Sequence, residues 1–333
     1  MKNIAKIASV LLALLLAAFC FTACGETTND PASTSDSGTT LSTEHSVDAP
    51  ATVRKVGVIQ YISHPSLDNC YAGVEEALKE RFGGSVEIVR QIGSDTSADT
   101  DCATYASQFA AQNYDMIVAI ATPAASSAFA AAEDKDIPVV FCAVSDPLAV
   151  DLVESMEKPG YNCSGTSDVL DMAAQVNLIR AMQPDVKKIG VLYTTSEANS
   201  IAQLGLLEEA AKPYGIEIVA SGIQNDADIP AAATALVAQV DCLNNFTDNK
   251  VVNNLSVVLA AANDAGIPIY GSEIEQVKNG CLASVSIDYV ALGKVTAAWL
   301  STRLKARSSP KWRSRRFRMQ LRSSTPMCLP RLA

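Results

Sequence analysis

The residues best suited to gripping a small charged molecule stand directly after short apolar runs. Gln60-Tyr61 follows one run, Thr122-Pro123-Ala124 a second and Ser145-Asp146 a third, while Glu197, Asn199 and Ser200, then Asp248, then Ser272 and Glu273 follow three more. Once water is excluded, a zwitterion needs hydrogen-bond donors for its carboxylate and an anion for its ammonium. Thr122, at the start of an Ala-rich helical segment, offers a hydroxyl beside free helix N–H groups for the first task. Asp248, Glu197 or Glu273 offers the second. Asp146 stands before a proline and serves equally well as a turn residue. Tyr61, Tyr193 and Phe246 are placed to give a ring wall, although a tyrosine in such a run is more often core.

Covalent and metal chemistry find little to work with. The chain carries two histidines, and no GxSxG, GxGxxG or GxxxxGK[ST] pattern occurs, so neither an acyl-transfer elbow, a dinucleotide fold nor a P-loop is signalled. The nine cysteines are scattered and form no CxxC pair, which argues against a zinc site. Six of them, Cys70, Cys102, Cys142, Cys163, Cys242 and Cys281, sit mostly within apolar runs and read as small buried hydrophobes. His64, next to Pro65, reads as a capping or turn residue. The expectation is a binding protein rather than an enzyme, with no metal and no cofactor. A formal charge of −10 argues against nucleic acid as a partner.

These residues need elements to position them. From Val53 on, β-branched runs alternate with Ala-rich segments of helical spacing, the pattern of βαβ units with parallel strands. Strands are expected near 55–61, 86–91, 116–121 and 139–144, then near 188–193, 217–221, 240–245, 268–271 and 282–287. Helices are expected over 198–214 and 229–238, and Gly83-Gly84 reads as a helix-ending turn. The two sets rhyme: Lys55-Val56-Gly57-Val58-Ile59 matches Lys188-Ile189-Gly190-Val191-Leu192, and Ile137-Pro138-Val139 matches Ile267-Pro268-Ile269. With 333 residues, the chain predicts an α/β protein of two Rossmann-like lobes with parallel sheets joined by a hinge, a ligand lying between their loop-bearing edges.

The first 24 residues have a basic start, an apolar run through Phe19 and small residues before Cys24, which is an export signal. Residues 25–52, rich in Ser, Thr, Asp and Gly, read as a disordered tether. The stretch Phe21-Thr22-Ala23-Cys24 resembles a bacterial lipobox, which implies cleavage before Cys24, lipidation of its sulfur and a membrane-anchored protein on the extracytoplasmic face.

Taken together, several segments resemble the ABC-transporter substrate-binding family that includes tryptophan- and tyrosine-binding lipoproteins. They are Ile59-Gln60 with His64-Pro65-Ser66-Leu67-Asp68, Ala121-Thr122-Pro123-Ala124, Ala143-Val144-Ser145-Asp146-Pro147, Ser196-Glu197-Ala198-Asn199-Ser200, Thr247-Asp248-Asn249, and Ala283 through Asp288-Tyr289. The resemblance implies the type I periplasmic-binding-protein fold and ligand capture without chemistry. The expected organisation is a first lobe over 53–165 and about 289–300, a second over 166–288, and hinge crossings near 165–168 and 287–292. Permease subunits of an ABC importer are the implied protein partners, a monomer is expected, and an aromatic or apolar amino acid is the expected ligand. A sensor module feeding a signalling protein is the alternative use of this architecture. Residues 301–333 are strongly basic and hold no carboxylate side chain. This departs from the family and reads as a shift of reading frame that removes packing from the first lobe.

Overall fold

The computed structural model describes residues 53–307, with side chains as far as Ser301. The first lobe is built from β1 (Arg54–Gln60), α1 (Pro65–Phe82), β2 (Val86–Ile92), α2 (Ala98–Ala111), β3 (Met116–Ile120), α3 (Thr122–Ala132), β4 (Val139–Cys142) and β5 (Cys163–Thr166). The second contains α4 (Met172–Met182), β6 (Lys188–Thr194), α5 (Ala198–Ala211), β7 (Glu217–Ile223), α6 (Ile229–Val237), β8 (Cys242–Asn244), α7 (Asn249–Asn253), α8 (Leu255–Ala265), β9 (Ile269–Glu273), α9 (Ile274–Lys278) and β10 (Ala283–Ile287). The last helix, α10 (Tyr289–Arg307), returns to pack on α1 of the first lobe.

The internal rhyme of the sequence reappears as topology. One sheet has the order β2-β1-β3-β4-β5 and the other β7-β6-β8-β9-β10, so the two halves follow the same parallel winding. In this winding the strand order reverses between β1 and β3 and between β6 and β8, and the carboxyl ends at such a reversal open a crevice. Central strands covered on both faces must be apolar throughout. Met116–Ile120 is accordingly buried at all five positions. On β6 the alternation of a strand assigns Ile189 and Val191 to one core, continuous with the first lobe, and Leu192 to a second core beneath α6 and α8.

Two glycines set the close approach of α1 and α10. A Cβ on Gly73 would lie 2.2 Å from the Val290 carbonyl oxygen, and one on Gly293 would lie 2.2 Å from that of Cys70. This packing fixes where Tyr289, at the head of α10, enters the region between the sheets.

The strands fall where the β-branched runs predict, with one addition. β5 is the short segment Cys163-Ser164-Gly165-Thr166, paired with β4 as an edge strand, and nothing in its residue types announces it. β8 is shorter than the expected 240–245, and β9 extends to Glu273 rather than stopping at Gly271. The helix expected over 198–214 is α-helical to Ala211 and continues as a 3-10 turn over Lys212–Tyr214, its expected end. The six cysteines from Cys70 to Cys281 are buried. Among the described residues no helix is long and apolar enough to cross a membrane. Cys24, the signal and tether segments, and residues 308–333 lie outside the described residues.

Candidate functional site

The carboxyl ends of both sheets face a common cleft. Its wall is made by His64, Ser66 and Leu67 at the head of α1, Ala121 and Thr122 after β3, Ala143 and Ser145 after β4, and Asp168 and Tyr289 where the chain passes between the sheets. From the second sheet come Asn199, Thr247, Asn249, Val252 and Glu273. The cleft is narrow, with about 10 Å³ open to the centre of a water molecule, roughly the room for one. Hydrogen bonds draw the lobes together, among them His64 Nε2 to Asn249 Oδ1 at 3.3 Å, Gln203 Nε2 to Ser145 Oγ at 2.9 Å, and Asn69 Nδ2 to Glu275 Oε1 at 3.3 Å.

Polar atoms without partners concentrate here. Among the described residues ten buried side-chain atoms lack a hydrogen-bond partner, and five belong to the cleft wall: His64 Nδ1, Ser66 Oγ, Thr122 Oγ1, Asn199 Oδ1 and Glu273 Oε2. A sixth, Glu197 Oε1, belongs to a carboxyl whose other oxygen accepts from Asn199 and Asn249 of the wall. Such orphans are uncommon in native interiors and call for a cause. Backbone strain adds to the picture. Ala121 and Ala143, the wall residues that follow β3 and β4, have φ of +81° and +58°, a region that costs a non-glycine residue about 1–3 kcal/mol.

The electrostatics divide along the cleft. In the first lobe α3 makes its first backbone bond from Ala125 N to Ala121 O at 3.0 Å, and α1 from Asp68 N to His64 O at 3.0 Å. The N–H groups of Thr122 and Ala124, and of Ser66 and Leu67, therefore have no intrahelical acceptor and suit an anion. The second lobe supplies buried carboxyls. Burial, and next the nearby charge of Asp248, push Glu197 up to about 8. Burial pushes Glu273 up to about 7, although the Ser66 hydroxyl across the cleft, outside hydrogen-bond geometry, and Gln276 pull the other way. Burial also raises Asp168 despite donation from Ser145 Oγ at 2.9 Å and Tyr289 OH at 3.0 Å. Burial lowers His64 to about 4, which leaves the ring neutral near pH 7.

Of the residues singled out in the sequence, Thr122, Ser145, Asn199 and Glu273 stand in the wall, as does His64, with Glu197 directly behind it. The others stand elsewhere. Gln60 is buried and ties Ile62 O and Asp68 together from Nε2 while Arg90 donates to its Oε1, so it braces the first turn of α1. Tyr61 is buried beside it, its phenol raised first by burial and then by the charge of Glu197. Pro123 and Ala124 shape the first turn of α3, and Asp146 accepts from Leu148 N at 3.1 Å and Ala149 N at 3.0 Å as a turn residue. Asp248 is a structural carboxylate. It accepts from Thr194 N, Thr194 Oγ1, Ser200 Oγ and Val251 N at 2.6–3.0 Å, which also occupies the Ser200 hydroxyl. Ser272 donates to Asn245 O at 2.8 Å. His64 holds the N-cap position of α1 but makes no cap bond, so its capping role is not realised and its ring reaches Asn249 instead. Sequence reasoning placed Asp168 and Tyr289 in the expected hinge crossings but not in the site, where the two crossings bring them together.

The family model for ABC transporter substrate binding proteins matches residues 55–311. The chain belongs to this family. A tyrosine-binding protein of Clostridioides difficile (strain R20291) is 37% identical over 291 residues, covering 86% of this chain and 81% of that protein. The ABC domain from Streptococcus pneumoniae in complex with L-Trp superposes with a TM-score of 0.75 at 32% identity, covering 82% of this chain and 90% of that one. A ligand-free, open substrate-binding protein with adhesive properties from Clostridium difficile gives 0.60 at 34% identity, covering 83% and 90%. The duplicated parallel sheets and these neighbours together give the type I periplasmic-binding-protein fold. The relatives are solute-binding proteins rather than enzymes, and this substrate-binding protein shares their architecture.

Proposed function

We propose that this substrate-binding protein is the lipid-anchored, extracytoplasmic receptor of an ABC importer, and that its cleft holds a free amino acid with an aromatic or apolar side chain. The observation that carries the reading is the gathering of unpartnered polar atoms in one cleft, with donors on one lobe and carboxyls on the other. The ligand carboxylate is met by Thr122 Oγ1 and the N–H groups opening α3 and α1. The ammonium is met by Glu273 and Glu197; Asp248 is removed from this role by its four protein donors. The tyrosine-binding relative and the tryptophan complex support the ligand class. The lipobox-like sequence ending at Cys24 supports the anchor, and the family match supports delivery to permease subunits.

Titration calorimetry of the full chain against amino acids, sugars and nucleosides tests the ligand. Binding of L-tyrosine or L-tryptophan is expected, with Thr122→Ala weakening it about tenfold through loss of a hydrogen bond to a charged group. Binding confined to sugars or nucleosides would overturn the reading. Labelling with a radioactive fatty acid in a bacterial host, lost in Cys24→Ala, tests the anchor separately.

A further inference from the structure

Of the unpartnered atoms in the cleft, His64 Nδ1 is the one whose chemistry its neighbours fix. A hydroxyl rotates to donate or accept, and a carboxyl gains or loses a proton. A neutral imidazole bound at one nitrogen has the role of the other decided.

The constraint begins at Glu197 and crosses the cleft. Its Oε2 accepts from Asn249 N at 3.1 Å, Asn199 Nδ2 at 3.1 Å and Asn249 Nδ2 at 2.6 Å. Three donors on one oxygen leave it an acceptor whether or not Oε1 carries a proton. Asn249 must therefore turn its nitrogen to Glu197 and its Oδ1 to His64. An amide oxygen only accepts, so the imidazole proton sits on Nε2, 3.3 Å away, and Nδ1 keeps a bare lone pair. That atom is buried, has no protein partner and belongs to a residue of the cleft wall.

We propose that His64 Nδ1 sets the specificity of the cleft by accepting a hydrogen bond from a neutral O–H or N–H on the ligand's side chain, a phenol or an indole. This rests on the reading of the cleft as an amino-acid site. The two charges of such a ligand already have partners, the helix N–H groups for the carboxylate and Glu197 with Glu273 for the ammonium. A neutral lone pair repels the first charge and is outmatched by carboxyls for the second. What it complements is an uncharged donor. A ligand lacking one leaves the lone pair buried and unpaired, and a site built for a polar group rejects such an analogue on that ground.

The test uses matched pairs on the full chain by titration calorimetry: L-tyrosine with L-phenylalanine, and L-tryptophan with 3-benzothienyl-L-alanine, in which sulfur replaces the indole N–H. The wild type is expected to favour the donor-bearing member by about 10- to 100-fold. In His64→Leu both ratios fall to about one, and in His64→Gln, whose amide oxygen can accept, they recover in part. Ratios that survive in His64→Leu, or a wild type that does not discriminate, overturn the proposal while leaving the amino-acid site standing. A wild type that binds none of the four overturns both. Should His64→Leu not fold, nitrogen NMR on the wild type decides, since the chain has only two histidines. The bare Nδ1 resonance should shift with L-tyrosine and not with L-phenylalanine, and equal shifts with both overturn the proposal.

Discussion

Replacing Glu197 by glutamine should make the protein more stable in alkaline solution. Burial, and next the charge of Asp248, lift this carboxyl from an ordinary 4.5 to about 8, so the folded chain binds a proton there that the unfolded chain has released. Where the native state holds more protons, stability falls as pH rises. The loss begins near 4.5, runs through the neutral range and levels off above about 8. At 1.36 kcal/mol per pH unit it amounts to roughly 3 kcal/mol by pH 7 and roughly 5 kcal/mol at the plateau. Glutamine has the shape of the protonated acid and no proton to lose. Its Oε1 can still accept from Asn249 and Asn199, so the local bonds need not change. Urea unfolding of the two proteins at pH 5, 6, 7, 8 and 9 should give a stability difference that grows in favour of Glu197→Gln by about 1.4 kcal/mol per unit up to pH 8. Taking the difference removes the parallel contribution of Glu273. Parallel pH profiles would refute the reasoning, because they would mean that Glu197 ionises as easily folded as unfolded.

Three further outcomes are expected from the packing. Asp248→Ala strands Thr194 and Ser200 and uncaps α7, and should cost at least about 3 kcal/mol in urea unfolding. Gly293→Ala puts a methyl 2.2 Å from the Cys70 carbonyl, and should lower stability by about 3 kcal/mol through the separation of α10 from α1, read as a lower melting temperature. Tyr289→Phe leaves Asp168 Oδ2 without its donor and should cost about 1–2 kcal/mol, with an unchanged melting temperature counting against the role given to this bond.

The lobes were legible in the sequence because the signal for a buried parallel strand is strong and local. Met116–Ile120 and Lys188–Thr194 state themselves in their own residues. β5 does not, since Cys-Ser-Gly-Thr has no apolar run and its place depends on the exposed edge of β4. The site was legible as a set of segments and not as a set of side chains. Asp248 and Glu197 are both carboxylates soon after a strand, and what separates a cap from an orphan is how many donors surround each one. Most of those donors come from residues about 50 positions away. His64 illustrates the same limit: Pro65 beside it suggested a turn, while the partner that defines its chemistry is 185 residues distant.

This distribution of partners gives the hinge a reason to wait for its ligand. Hydrogen bonds between the lobes, His64 to Asn249, Gln203 to Ser145 and Asn69 to Glu275, favour closure. Against them stand five atoms of the cleft wall, with Glu197 Oε1 behind them, that are buried and unpaired where the lobes meet, each costing on the order of 1–3 kcal/mol. An opposing term of several kcal/mol is of the size that would tip an equilibrium between open and closed lobes, since moving a two-state equilibrium from 1:99 to 99:1 takes about 5.5 kcal/mol. A solute that supplies partners to those atoms removes that opposition, and it does so only when both lobes touch it at once. Closure then depends on the chemistry of what lies in the cleft, which a purely apolar wall between the same sheets would not achieve.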